Sequence, residues 1–390
     1  MSLFGKQRTR GIGMEKNVNP VLQFVMQEIY KKRKPLPEIP RTVVRYEKVQ
    51  DKIFSEIWFM TPGCAHDRNG GCTMCNYGKG NHVSPKEIAC ELAIRIRQLP
   101  KNLQELIITP TGSMLDEQEV PLEIFTEILG LLKHTTTSDF LIETRIDTVS
   151  AEKLELMKQT VHADRIFIET GIEAWDDWIL RNCVNKNMKL KDLGPALNTI
   201  HHAGMYACAN IGIGIPFLNE RMSIKVAVTS VETALKMGFD SVVLFPYHVK
   251  PGTLSAWLWE QNLYQCCSLW ALIEVLGTFP AEMLDKIHIS WYRNYYDDPQ
   301  KILLSPDTCD TCREDVLKLL DDYKNHPCQE VRGKLLSLSC SCRDIWKQKL
   351  LLQPDYVEMD QIAAIYRKMG HAFGISPNMV EQEIIYMTKE

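Results

Sequence analysis

From about residue 53 to 250 the chain alternates short β-branched runs with amphipathic helical stretches, and no other feature limits its fold so tightly. Six runs read as strands: Glu56 to Met60, Glu105 to Thr109, Phe140 to Thr144, Arg165 to Thr170, Tyr206 to Ile213 and Ser241 to Phe245. Stretches such as PKEIACELAIRIRQL and SAEKLELMKQ lie between them, long enough to cross back over a sheet in the right-handed sense. The pattern predicts an α/β chain whose parallel strands curl into a partial barrel. In such folds reactive groups gather at the C-terminal ends of strands. Here those ends carry Cys64, then Thr111, Gly112 and Ser113, then Glu143 and Arg145, then Glu169, then Gly212, Gly214 and Pro216.

At 390 residues and 45% apolar, the chain suffices for one large domain and a smaller appendage. The expected division is an N-terminal basic arm and linker at 1–52, a core barrel at 53–306 and a mostly helical, cysteine-rich lobe at 307–390. No apolar run approaches the roughly 20 residues of a membrane span, and the start lacks a signal-like apolar stretch, so a cytoplasmic protein without a membrane partner is expected. A formal net charge of −4 argues against general polyanion binding, yet residues 1–52 hold 12 Lys or Arg against 5 acidic residues, with KKRK at 31–34 before PLPEIP. That arm has the charge to neutralise RNA phosphates. The plainer reading is a solvated helix end. The aromatics Trp257, Trp259, Trp270, Trp291, Tyr292, Tyr295 and Tyr296 read first as core, within a stretch contributing a helix and a closing strand. A pocket that stacks a planar base is the alternative.

Thirteen cysteines in a chain of this kind point to metal or redox use rather than a disulfide framework. Cys64, Cys72 and Cys75 stand in TPGCAHDRNGGCTMC, whose Gly63, Gly70 and Gly71 permit tight folding around a metal centre. Three thiolates can hold three corners of an iron-sulfur cube and leave one iron open. Zinc normally takes four protein ligands, and no fourth Cys or His has a finger-like spacing except His66. Cys309, Cys312, Cys340 and Cys342 form a second group, in a CxxC and CxC arrangement that suits a structural zinc, with an auxiliary iron-sulfur cluster as competitor. Cys328 would be spare and His326 a surface histidine, while Cys90, Cys183, Cys208, Cys266 and Cys267 read as buried small apolar side chains.

The triplet, followed by Asn76 and Tyr77, resembles the cluster loop of radical S-adenosylmethionine (SAM) enzymes, although its first gap is longer than the commonest CxxxCxxC. The runs GGCTMCNYG, PTGSMLDEQEVP, IETRIDTVSAEKLELM, IFIETGIEAWDDWILRNCVNKNMKL and PFLNE extend the resemblance over roughly residues 45 to 350. It is closest to the radical SAM family of archaeosine biosynthesis and, more distantly, similar to the catalytic subunit of Elongator. The resemblance implies a partial (β/α)6 TIM-like barrel of radical SAM type, with Cys64, Cys72 and Cys75 ligating a 4Fe-4S cluster that SAM chelates. It implies that Thr111, Gly112, Ser113, Glu143, Arg145, Glu169, Gly212 and Gly214 bind the cofactor; the glutamates could accept from ribose hydroxyls and Arg145 could pair with the methionine carboxylate, with an internal ion pair as the alternative for these charges and close packing as the alternative for Gly212 and Gly214. The implied chemistry is reductive cleavage of SAM to a 5′-deoxyadenosyl radical. In the archaeosine pathway that radical acts on a lysine-modified 7-deazaguanine of tRNA, a C–N lyase reaction. An electron donor such as flavodoxin or ferredoxin, and tRNA or a tRNA-binding protein, would be partners. Gly214 and Ile215 depart from the archaeal pattern, which has a lysine and a second proline before PFL. A radical SAM enzyme of a small metabolite, and a non-catalytic assembly protein stapled by its metals, are therefore carried as alternatives.

Overall fold

The computed structural model describes residues 17–33, 42–49, 51–78, 84–295 and 301–389. Eight strands form one sheet in chain order: β1 (Thr42–Val49), β2 (Lys52–Phe59), β3 (Asn102–Pro110), β4 (Thr136–Thr144), β5 (His162–Glu173), β6 (Tyr206–Ile213), β7 (Ser241–Pro246) and β8 (Ile287–Ile289). β1 is antiparallel to β2, and every later pairing is parallel. The six expected strands are β2 to β7, and β8 is the closing strand expected beyond residue 251. The antiparallel β1 is an addition that sequence reading placed inside the basic arm.

Alternate residues take opposite faces of each strand, and the two faces differ in burial. On one face Leu106, Ile108, Phe140, Ile142, Ile168, Ile172, Ala209 and Ile211 are buried at 2% exposure or less, packed under the crossover helices. The other face carries Glu105, Ile107, Leu141, Glu143, Phe167, Asn210 and Phe245, all only half-buried. This side of the sheet therefore mixes apolar with polar side chains, of which Glu143 and Asn210 lie toward the C-terminal strand ends.

The crossover helices begin where local chemistry directs. Helix Pro85–Ile96 starts at a capping box of Ser84 and Glu87 with proline at the first helical position, and presents Ile88, Ala89, Leu92 and Ile96 to the core. Cys90 lies off that stripe and is exposed, unlike Cys183, Cys208 and Cys267, so its expected burial is corrected.

Within the expected basic arm, residues 17–33 are integral to the molecule; Lys34 and PLPEIP lie outside the described residues. Asn19 caps helix Pro20–Lys32, whose Val21, Leu22, Val25 and Met26 are wholly buried. This helix packs against the last two, Met359–Phe373 and Pro377–Met387. Asn19 also donates to Glu383 (3.0 Å) and Asn182 (3.0 Å). The solvated helix end is thus confined to its exposed lysines, Lys31 and Lys32. Among the aromatics, Trp270 and Tyr292 are core at 1% exposure, Tyr295 is 37% exposed, and Tyr296 lies outside the described residues.

Candidate active site at the strand ends

The loop after β2 is laced to the end of β3. The Thr61 hydroxyl donates to the Thr111 carbonyl (3.1 Å), and the Thr61 N–H donates to the Thr111 hydroxyl (3.0 Å). Gly63 has φ +94°, and a Cβ there would lie 2.5 Å from the Tyr77 carbonyl oxygen, so the turn that delivers Cys64 requires glycine. The Cys64 N–H donates to Tyr77 O (3.0 Å), which closes the loop on itself.

Two anchors hold the loop from outside. Arg33, at the end of helix Pro20–Lys32, forms a buried pair with Asp67 (2.5 Å) and donates to Cys75 O (3.0 Å), while Asp67 accepts the Gly78 N–H (2.5 Å). Asn185 takes a left-handed conformation at φ +59° after the π-helical turn Leu180–Val184. Its amide donates to the carbonyls of Gly70 (2.7 Å) and Gly71 (3.0 Å), and its own carbonyl meets His66 Nε2 at 3.0 Å. Such buried pairs cost desolvation and fix geometry more than they add stability.

Burial raises the pKa of all three thiols: Cys64, Cys72 well above its usual value, and Cys75 to about 12. Arg145 opposes this at Cys64 and Lys186 at Cys72. Buried neutral thiols become thiolates readily when a metal supplies the missing positive charge. Three of them on one glycine-shaped loop suit the donor set of a 4Fe-4S cluster.

The residues expected to touch the cofactor divide by what already engages them. Thr111 and Ser113 are buried, and the Ser113 hydroxyl meets those of Thr144 (2.6 Å) and Thr148 (3.0 Å) and accepts the Arg145 N–H (3.0 Å). Gly112 admits Glu119, whose Oε2 would lie 1.7 Å from a Cβ at that position. Arg145 pairs with Asp116 (2.5 Å), Glu119 (2.7 Å) and Asp147 (3.2 Å) and reaches Cys64 Sγ at 3.9 Å. Gly212 makes room for the ring of Tyr247, and Gly214, at φ +83°, for Cys267.

Glu143 and Glu169 sit opposite each other on neighbouring parallel strands. Burial, then the charge of Glu143, pushes the Glu169 carboxyl up to about 8; burial raises Glu143 too, against the Thr109 hydroxyl that donates to it. Like charges this close in a poorly solvated site disfavour double ionisation. Sequence reading missed Glu119, Glu173 and Lys186. Glu173, at φ +69°, accepts from Lys186 (3.0 Å) and from the Tyr247 hydroxyl (2.7 Å). The available signal for the first was the acidic run DEQE after the Thr-Gly-Ser turn, and for the others the strand-end Glu173 and the following VNK.

On the far flank, Cys309, Cys312, Cys340 and Cys342 converge, with sulfur atoms within 4.8 Å of one another. Cys309 lies 3.7 Å from Cys312 and 3.5 Å from Cys340, and Cys312 lies 3.5 Å from Cys342. A tetrahedron with metal–sulfur bonds of about 2.3 Å has edges of about 3.8 Å. In a cubane each thiolate binds a different iron, which sets the sulfurs farther apart. The spacing fits one ion. The Cys312 N–H, and then the Cys340 and Cys342 thiols, hold the Cys309 thiol below its ordinary range, while burial pushes Cys312 up. Trp270 Nε1 donates to Cys342 Sγ (3.3 Å), which fastens the lobe to the barrel. Cys328 is absent from the group.

No protein-family model matches the chain. In sequence it is similar to archaeosine synthase subunit beta of Methanosarcina acetivorans, 26% identical over 316 residues, or 78% of this chain and 87% of that one. An uncharacterized protein of Methanocaldococcus jannaschii is 25% identical over 329 residues, 76% of this chain and 84% of that one. The solved structure of the archaeal Methanocaldococcus infernus Elp3 superposes at a TM-score of 0.45 with 17% identity, covering 62% of this chain and 60% of that one, a likeness too slight to add to the strand order itself. A sheet whose pairings run parallel from β2 onward, with three thiols beyond its first parallel strand, is similar in arrangement to the expected barrel of an enzyme of the radical SAM type. The chain's kinship in sequence is with archaeosine synthase subunit beta.

Proposed function

We propose that this chain cleaves SAM reductively at a 4Fe-4S cluster held by Cys64, Cys72 and Cys75 and removes a hydrogen atom from a lysine-bearing 7-deazaguanine nucleoside of tRNA, whose C–N bond then breaks to leave archaeosine. The observation that carries the reading is the gathering of three thiols, one buried and two half-buried, the Thr111-Gly112-Ser113 turn and the Glu143–Glu169 pair at one end of the parallel sheet. The 26% identity to a named archaeosine synthase subunit over most of both chains supports the choice of substrate. When bound, the cluster supplies the electron that breaks the SAM sulfonium bond. The protein's own work is to hold and enclose. Gly112, Gly212 and Gly214 give Glu119, Tyr247 and Cys267 their places around the site, Thr111 and Ser113 fix the turn, and Glu143 and Glu169 offer oxygen acceptors to ribose hydroxyls. Cys309, Cys312, Cys340 and Cys342 hold a structural zinc in preference to a second cluster. A flavodoxin or ferredoxin would deliver the electron in the cytoplasm. Among the described residues no helix is long and apolar enough to cross a membrane.

The test uses anaerobically reconstituted, reduced full-length protein. 5′-Deoxyadenosine should form from SAM, and lysine-modified tRNA should increase it and yield archaeosine. Loaded protein that forms no 5′-deoxyadenosine refutes the enzyme reading. Turnover indifferent to tRNA moves the substrate to a small metabolite.

A further inference from the structure

We infer that Arg145 and Glu119 are a fixed charge pair that seats and electrostatically tunes the Cys64 corner of the metal site, and that Arg145 is not a carboxylate-binding residue. The inference rests on the reading of Cys64 as a cluster ligand. A guanidinium has five N–H groups in a rigid fork. Nη1 of Arg145 reaches Glu119 Oε1 (2.7 Å) and Cys64 Sγ (3.9 Å), Nη2 reaches Asp116 Oδ2 (2.5 Å), and Nε reaches Asp147 Oδ1 (3.2 Å). Four of the five donors are thereby committed. The one that remains cannot make the paired, parallel hydrogen bonds by which arginine grips a carboxylate.

Glu119 explains why the guanidinium sits there. Its side chain has no exposure, and besides Arg145 it accepts the N–H of Ala65 (2.9 Å) and of Ser113 (2.6 Å). One carboxylate therefore ties together the residue after Cys64, the turn after β3 and the residue after β4. Gly112 is the condition for it, since any Cβ at that position would occupy the place of Oε2. Iron-sulfur potentials respond to net charge and to hydrogen bonds at the sulfurs. A cation at Cys64 favours the electron-rich state; Glu119, pushed up to about 7 by burial against Arg145 and the N–H groups of Ala65 and Ser113, is the opposing anion above that pH. Arg145 and Glu119 thus act on the site with opposite sign.

Arg145→Met, Arg145→Lys and Glu119→Gln in the reconstituted full-length protein test this, read by iron and sulfide per chain, an EPR-monitored redox titration at one pH well above the value of about 7 to which burial lifts Glu119, and the dissociation constant of SAM. The midpoint potential should fall in R145M, rise in E119Q and lie between wild type and R145M in R145K, with SAM affinity in R145M within threefold of wild type. If R145M takes up no cluster, the opposed shifts of R145K and E119Q carry the result. A wild-type potential in R145K and E119Q overturns the inference, as do shifts of the same sign in both. A tenfold or greater loss of SAM affinity in R145M at an unchanged potential returns Arg145 to the cofactor. In each of these failures a loaded, SAM-cleaving wild type leaves the proposed function standing, whereas a wild type that binds no cluster removes both.

Discussion

Glu169 shows how one residue's surroundings set its chemistry. On an exposed strand end it would be an ordinary carboxylate. Here burial and the facing Glu143 push it up to about 8. An acid whose native pKa exceeds its unfolded value of about 4.5 stabilises the fold fully below that value, and the contribution is lost as pH rises toward the native pKa. Thermal stability should therefore decline between about pH 4.5 and 8, and Glu169→Gln, which keeps the size and removes the charge, should make the decline shallower. Melting temperatures of both proteins across that range check this; identical slopes would show that the pair does not titrate in the folded protein. The residue types at this scale were legible in the sequence, but their partners were not. Arg145 was visible as a strand-end cation, while Asp116 and Glu119, which engage it, lie more than 25 residues earlier. Gly112 announced close approach without saying that a carboxylate approaches.

Helix Pro20–Lys32 makes the point for an element. Its basic C-terminus suggested an arm toward RNA, and its buried stripe instead places it under the last two helices, with Arg33 at its end gripping Asp67. Val25 and Met26 carry that stripe with no exposure. Met26→Ala should cost about 2–5 kcal/mol, measurable as a lower urea midpoint. Iron retained after reconstitution should fall with it, because the helix holds Arg33 over the Cys75 carbonyl. A variant with the expected loss of stability and full iron content would separate the helix from the site. Strands β2 to β7 were readable because each is a short β-branched run between amphipathic stretches. β1 was not, since TVVRYEKV follows a charged, proline-containing segment and pairs backward onto β2.

Across the whole molecule, the barrel and the cysteine lobe are joined at Trp270 and Cys342, and Trp346 Nε1 donates to Glu220 (2.9 Å) on the barrel side. Elemental analysis should find about one zinc per chain beyond the iron of the cluster, as expected for a closed four-thiolate site. Removing it by Cys309→Ser should lower the melting temperature while zinc content falls to near zero. Four extra irons with matching sulfide in place of zinc would reverse the assignment.

The sequence by itself determined the alternating α/β pattern, the three thiols beyond the first parallel strand and the four-cysteine set, because periodicity and ligand spacing are local properties of a chain. Only the tertiary structure decided that Arg145 is paired with three carboxylates, that Glu143 faces Glu169, that Asn185 and Arg33 hold the cysteine loop, and that the four sulfurs stand at single-ion spacing. Those facts depend on strand register and on the burial of charges brought together from distant segments, and a linear reading carries neither.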